Sequence, residues 1–366
     1  MSWLGELLQT YCLYGLIAFA VTVMSTPLAI AAARRFGIMD FPDQLLKPHA
    51  VPTPYLGGTA ICAGWLAAIL IALLAGKVAV GLTLPILLGG LAMSGLGLAD
   101  DVHDLSAKLR LILGAAIIGA VLVVTHTGSG LVHAVLGPLN LDFPPAVSTV
   151  FSYLLGIFIV LGACNSSNLI DGLDGLCSGV TAIISLGFFV LAAHLASFQT
   201  EQAGHAVRLV LSIAMLGSAA GFLPHNFNPA KIFMGDAGSV LLGYNCGMMI
   251  LLFAEWANFR WVVAALMIFA LPIFDTSLAM FRRWRSGKSI FSGDRSHFYD
   301  QLVQRGFTVR QSVLISYGLT LFYGVAGLVL MLIQLRYSIP LFLLICGLSG
   351  LAAHLAGMTR PERRTA

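Results

Sequence analysis

The chain has 366 residues, of which 58% are hydrophobic and only 10% charged, and its mean hydropathy is +0.91. That composition excludes a soluble globular enzyme and calls for helices that satisfy their own backbone hydrogen bonds in lipid, each about 20 residues long. The net charge of +4 carries no nucleic-acid signal; it reports membrane orientation and some affinity for anionic membrane lipid.

Eleven apolar runs are candidate spans, near 12–33, 56–75, 82–99, 109–126, 146–163, 177–198, 207–223, 239–254, 261–280, 312–333 and 339–357. They predict an all-α polytopic membrane protein, one integral-membrane domain over 1–366. Short cytoplasmic loops are enriched in Lys and Arg, so the basic residues set the orientation. The loops at 34–55, 100–110, 164–176, 224–238 and 281–311, together with the tail, hold 16 of the 20, and the other side has only Lys77, Arg208, Arg260 and Arg336. The N-terminus is therefore expected outside and the C-terminus inside, with an active site on the cytoplasmic face of the inner membrane. The six cysteines are scattered and fit small packing residues, not a disulfide framework or a zinc site.

The first loop carries Lys47-Pro48-His49-Ala-Val-Pro52-Thr53-Pro54 after Pro42. Its prolines block helix and predict an extended connector with Lys47 and His49 near the membrane surface. The third span continues into Asp100-Asp101-Val-His103-Asp104, followed by Lys108. If the helix persists, Asp100, Asp104 and Lys108 share one face. Adjacent acids at a helix C-terminus oppose the macrodipole and call for a cation or a metal-bound phosphate; one with a raised pKa could act as a base.

After the fifth span comes Asn165-Ser-Ser-Asn168-Leu-Ile-Asp171-Gly172-Leu-Asp174-Gly175. Its Asn and Asp side chains are hard oxygen ligands suited to Mg²⁺, and its glycines allow close approach to a phosphate. Helix capping explains one such residue, not four. The next cluster runs from Asn226 through Pro229, Lys231 and Phe233 to Gly235-Asp236-Ala-Gly238-Ser239, which opens the eighth span. A helix N-terminus with small residues is an anion site, and an acid there tolerates a phosphate only with Mg²⁺ between them. Asp236 is accordingly the best single metal ligand. Phe233 could stack a nucleobase or anchor at the interface. The longest loop holds Arg282, Arg283, Arg285 and Lys288, an ordinary positive-inside stop, then Asp294-Arg295-Ser-His297-Phe-Tyr299-Asp300-Gln301-Leu302. Arg295 and His297 can both donate to phosphate oxygens.

Assembled, these motifs resemble the polyprenyl-phosphate N-acetylhexosamine-1-phosphate transferases. That family includes the bacterial enzymes that begin O-antigen, enterobacterial common antigen and wall teichoic acid, and the phospho-N-acetylmuramoyl-pentapeptide transferase of peptidoglycan synthesis. The resemblance implies transfer of an N-acetylhexosamine 1-phosphate, N-acetylglucosamine as first choice, from its UDP-sugar to undecaprenyl phosphate with release of UMP. It implies that Asn168 and Asp236 help hold Mg²⁺ or Mn²⁺, and that Lys47, His49, Asp171, Asp174, Asn226 and Phe233 shape the substrate site, Asp171 counting also as catalytic. Asp100 and Asp101 would work at the acceptor, Lys108 and Arg295 would neutralise charge, and His297 is the histidine that the last motif keeps. That motif departs from the Asp-Arg-x-His-x-His-His-Arg-Leu of the N-acetylglucosamine members, because Tyr299 and Asp300 replace the later histidines. The donor sugar is therefore open, and Tyr299 and Asp300 are expected to bear on its choice. The alternatives are the muramoyl-pentapeptide transferase and, in another class, a transporter. A transporter needs ionisable groups inside its spans, where Asp275 is the nearest exception. Oligomeric state is left open, a homodimer included.

Overall fold

The computed structural model describes residues 2–41, 52–136, 143–198, 203–254, 259–287, 289 and 297–359. Lys47, His49 and Arg295 lie outside the described residues. The helices are α1 (Ser2–Phe36), α2 (Gly57–Leu74), α3 (Val80–His103), α4 (Ala107–Thr125), α5 (Leu131–Leu136), α6 (Pro145–Leu169), α7 (Leu176–Ser197), α8 (Ala203–Asn226), α9 (Gly235–Ala254), α10 (Phe259–Ile268), α11 (Ala270–Arg285), α12 (Phe298–Gln304), α13 (Val309–Leu332) and α14 (Leu335–Leu355). The first loop adds a two-residue ladder, β1 (Met39–Asp40) antiparallel to β2 (Thr53–Pro54), with Met39 opposite Pro54.

Ten helices are long and apolar enough to span a bilayer, and α10 with α11 make an eleventh candidate that is bent by 73°. The expected ninth span is thus broken, and its sequence says why. Pro272 has no N–H to give, and its ring collides with the carbonyl four residues back, that of Ile268, where α10 ends. Pro272 then sits in the first turn of α11, where a missing N–H costs nothing.

The continuity expected across Asp100, Asp104 and Lys108 fails. Helix α3 stops at His103, and Asp104 adopts a left-handed conformation with φ 49°. Ser106 then caps α4 by accepting from Leu109 N. Asp104 and Lys108 are both exposed, on either side of this turn.

At the centre stands α9, buried along nearly its whole length, with α2, α3, α6, α8 and α10 around it. Lipid tails are as apolar as leucine, so close approach and buried hydrogen bonds hold such helices together. A Cβ on Gly243 would stand 2.5 Å from the Cα of Cys164, and one on Gly247 2.7 Å from the Cα of Val160, so only glycine lets α6 lie this close. Trp65 Nε1 donates to Asn245 Oδ1 at 3.0 Å and Tyr244 OH to the Ile86 carbonyl at 3.0 Å, each contact worth on the order of 1 kcal/mol. This packing brings the C-terminal ends of α3, α6 and α8 and the N-terminal ends of α4, α7 and α9 to one end of the bundle. The polar motifs meet there.

Candidate active site

Asp101, at the end of α3, reaches the first turn of α9. Its Oδ1 accepts from Asp236 N at 2.7 Å and its Oδ2 from Ala237 N at 3.0 Å. Gly235 precedes these donors with φ 71°, and a Cβ there would come 2.7 Å from Asp101 Oδ2. The anion site expected at this helix N-terminus therefore exists but is filled by the protein's own carboxylate. Asp101 fastens α3 to α9 and fixes where the Asp236 side chain emerges.

Asp236 takes Asn168 Nδ2 on Oδ1 at 2.7 Å and Arg110 Nη1 on Oδ2 at 2.9 Å. Asn168 Nδ2 also lies 3.1 Å from Ser239 Oγ. The same Arg110 nitrogen contacts Asp100 Oδ2, and Asp100 Oδ1 accepts from Leu105 N at 2.7 Å. One guanidinium thus joins two acids brought from different helices. Arg110 appears in the sequence only as one of many loop cations; its role depends on where α4 begins, and that was set by the turn at Asp104.

Asp171 lies in the turn between α6 and α7, and its carboxylate takes no hydrogen bond from any described residue. Loss of hydration, then the nearby charges of Asp236, Asp101 and Asp174, push its carboxyl well above the usual carboxylate range. Among the described residues no three acidic, His or Cys side chains form a ready-made metal cage. The donor set nonetheless fits Mg²⁺, which keeps several waters and takes one or two carboxylates alongside substrate phosphates. Asp171 and Asp236 would supply those carboxylates, and Asn168 presents its amide N–H to Asp236 and so orients that acid.

Two residues expected to touch substrate make hydrogen bonds within the protein. Asp174 Oδ2 accepts from Asn228 Nδ2 at 2.9 Å and Ala230 N at 3.0 Å. Asn226 accepts from Gly175 N and Ser178 Oγ, both at 3.1 Å, and donates to the Ile232 carbonyl at 3.0 Å. Both tie the 170–175 turn to the 226–232 segment. Phe233 is half-buried, and its backbone bonds Pro54 O and Gly57 N, each at 2.9 Å, which joins the first loop to α9.

On the other flank, His297 Nδ1 lies 2.7 Å from Asp275 Oδ2, and its ring stacks on Tyr299 with centroids 5.4 Å apart at 7°. Tyr299 OH donates to the Leu169 carbonyl at 2.7 Å, and its ring end presses on Gly172. Asp300 Oδ2 accepts from His297 N at 3.1 Å, capping its own helix. Tyr299 and Asp300 are thereby engaged inside the protein, so any effect of theirs on sugar choice would act through the position of His297 and the 169–172 turn. Asp275, the acid on which a transporter reading would turn, is paired at the same end as the other motifs.

A family model, glycosyl transferase family 4, matches residues 83–254. The chain is 32% identical to the probable undecaprenyl-phosphate N-acetylglucosaminyl 1-phosphate transferase of Bacillus subtilis (strain 168), over 86% of this chain and 84% of that one. The chain belongs to glycosyl transferase family 4. It is also 33% identical to the decaprenyl-phosphate N-acetylglucosaminephosphotransferase of Mycolicibacterium smegmatis, over 86% of this chain and 80% of that one. With the undecaprenyl-phosphate alpha-N-acetylglucosaminyl 1-phosphate transferase of Yersinia pestis it shares 31%, over 85% and 83%. The stretch that matches the glycosyl transferase family 4 model contains Asp100, Asp101, Arg110, Asn168, Asp171 and Asp236, whereas Asp275, His297 and Tyr299 lie beyond it.

The Asp171 environment has a consequence for this family member's stability. The folded chain holds a proton there at pH values where the unfolded chain has released it, so metal-free protein loses stability as pH rises from the ordinary carboxylate value through the raised one. Asp171→Asn removes that loss. In EDTA the variant is expected to melt above wild type at neutral pH and to vary less with pH. Mg²⁺ should then raise the Tm of wild type and leave that of the variant where it is. Parallel Tm-versus-pH curves for the two proteins in EDTA would contradict the assignment.

Proposed function

We propose that this protein transfers N-acetylglucosamine 1-phosphate from UDP-N-acetylglucosamine to undecaprenyl phosphate, at the cytoplasmic face of the inner membrane and with Mg²⁺. The observation that carries this reading is the cluster of Asp100, Asp101, Asp171 and Asp236 around Arg110, set where the helices leave the apolar layer. In that position the cluster would receive a lipid phosphate from the side and a nucleotide from the end. The names of the relatives support a polyprenyl-phosphate acceptor and an N-acetylglucosamine 1-phosphate as the group transferred.

An acceptor phosphate oxygen attacks the sugar-bearing phosphorus of the diphosphate. A new P–O bond forms, the bond to the bridging oxygen breaks, and UMP leaves with the electron pair. Both reactants are anions, so the protein's work is positioning and charge neutralisation. Asp171 and Asp236 would hold a Mg²⁺ ion, which would neutralise the diphosphate. Arg110 balances the charge of Asp100 and Asp236, Asn168 orients Asp236, and Asp101 keeps α9 in register. Lys108, exposed on the first turn of α4, draws the anionic headgroup in. A single displacement is favoured over a covalent phospho-enzyme, since a phosphate monoester already carries a nucleophilic oxygen.

Purified protein with undecaprenyl phosphate, Mg²⁺ and a panel of UDP-sugars is expected to release UMP and form lipid product with UDP-N-acetylglucosamine, and to stop in EDTA. Full turnover in EDTA, or a different preferred sugar, would overturn that part of the reading. Orientation has its own test: in intact cells an impermeant thiol reagent should label Lys77→Cys and spare Lys231→Cys, both positions being exposed. Labelling of the second would place the acidic cluster outside.

A further inference from the structure

Asp275 stands in an apolar run, 1% exposed, with its side chain facing α12. The 73° bend at Phe269 carries it there, because α11 no longer continues the axis of α10. Next to it, Thr276 Oγ1 donates to Ser166 Oγ at 3.0 Å, pinning α11 to the end of α6. The Asp275 carboxylate makes two contacts across a separation of more than twenty residues: Oδ1 accepts from Phe298 N at 2.8 Å and Oδ2 faces His297 Nδ1 at 2.7 Å.

A buried carboxylate is tolerated when donors meet both oxygens. Since Asp275 is an acceptor, the proton in the second contact belongs to Nδ1, and the tautomer of the ring follows. The His297 side chain is itself only 4% exposed. Tyr299 locks its plane from one side while bonding the Leu169 carbonyl, two residues from Asp171. Tyr299 thus links the imidazole to the edge of the acidic cluster.

We propose that Asp275 is a positioning residue for the transfer: it fixes the His297 ring through Nδ1, so that the ring meets the donor diphosphate through Nε2 as an imidazolium. The inference rests on the transfer reaction proposed above. The carboxylate stabilises the positive ring, and the bond to Nδ1 sets the direction of Nε2, as carboxylates do for functional histidines elsewhere. Among the described residues, the titratable groups near the ring are Asp275 from α11, Tyr299 and Asp300 from α12, and Asp171 and Cys177, which interact with Tyr299. Arg310, at the start of the neighbouring α13, is turned to the Asn228 carbonyl. Of these, Asp275 is the one whose side chain meets a ring nitrogen in the contacts described.

Asp275→Asn keeps the shape and removes the charge. Its kcat is expected to fall about 10–100-fold, with little change in KM for the UDP-sugar. The alkaline limb of the kcat–pH profile should move down by at least about one unit. Asp275→Glu should recover part of the loss. The double variant D275N/H297Q should be no slower than H297Q alone, because Asp275 then has no ring to act on. A purely structural anchor would instead lower Tm, leave the pH profile in place and add its loss to that of H297Q. The ring can be read without turnover: ¹⁵N spectra of histidine-labelled protein in lipid nanodiscs, with the His297 signal assigned by its disappearance in H297Q. The expected result is a protonated Nδ1 in wild type and a titration midpoint at least about one unit lower in D275N. An unchanged midpoint, or wild-type turnover in H297Q, overturns the inference. If wild type transfers nothing from any UDP-sugar, the transfer reading falls, and the titration still decides for or against Asp275.

Discussion

Asp236→Asn is expected to lower turnover by about 10³-fold, the upper end of what one preorganised electrostatic contact supplies, while the chain still inserts and folds. Asp236 is the meeting point of the site: Arg110 from α4 and Asn168 from α6 converge on its two oxygens, and Asp101 from α3 holds its own backbone N–H. An amide at this position keeps the size and one acceptor. It removes the charge that Arg110 is placed to balance and that a divalent cation would need, and it sets an N–H against one of the two donors already present. The backbone contact with Asp101 survives, so the α3–α9 junction and the fold are retained. The measurement is kcat with UDP-N-acetylglucosamine and undecaprenyl phosphate at saturating Mg²⁺, with Tm as the folding control. A variant with normal Tm and more than a tenth of wild-type turnover would remove Asp236 from the chemistry.

The outline of this site was legible because polar residues are expensive in a chain that must cross lipid. Asp100, Asp101, Asn168, Asp171 and Asp236 stood out for that reason, and the structure brings all five together. Chemistry that is ambiguous at the level of residue type was not legible. Asp174 and Asn226 present the same acceptors and donors to a neighbouring loop as to a nucleotide, and only the fold shows the bonds they make to the 226–232 segment and the 170–178 stretch. Tyr299 and Asp300 mark a real departure of sequence, yet one is buried against Gly172 and the other caps a helix. Hydropathy averaged over a run does not register a break, so the ninth span read as continuous despite Pro272. The pairing of Asp275 with His297 was hidden by the same break, since a straight helix would have carried Asp275 elsewhere.

Arg110→Ala is expected to lower kcat/KM by about 10²–10³-fold and, at the same time, to lower the Mg²⁺ concentration needed for half-maximal rate. The two effects have one cause. The Arg110 guanidinium lies between Asp100 and Asp236, and without it those acids and Asp101 face one another with less positive charge among them. A more negative site attracts a divalent cation more strongly, but it repels the anionic diphosphate and the anionic acceptor, which the positive guanidinium would otherwise help to hold. Unfolding is not the explanation to expect, because the Arg110 side chain is 40% exposed and a solvent-screened pair of this kind contributes at most about 1 kcal/mol. Arg110→Lys should restore part of the rate: an ammonium supplies the charge and several donors, but not the planar guanidinium that reaches both carboxylates. The decisive comparison is rate against Mg²⁺ concentration for wild type and both variants. A slow Ala variant with an increased Mg²⁺ requirement would mean that Arg110 helps to shape the cation site. Unchanged kinetics would make it one more positive charge at the edge of the membrane.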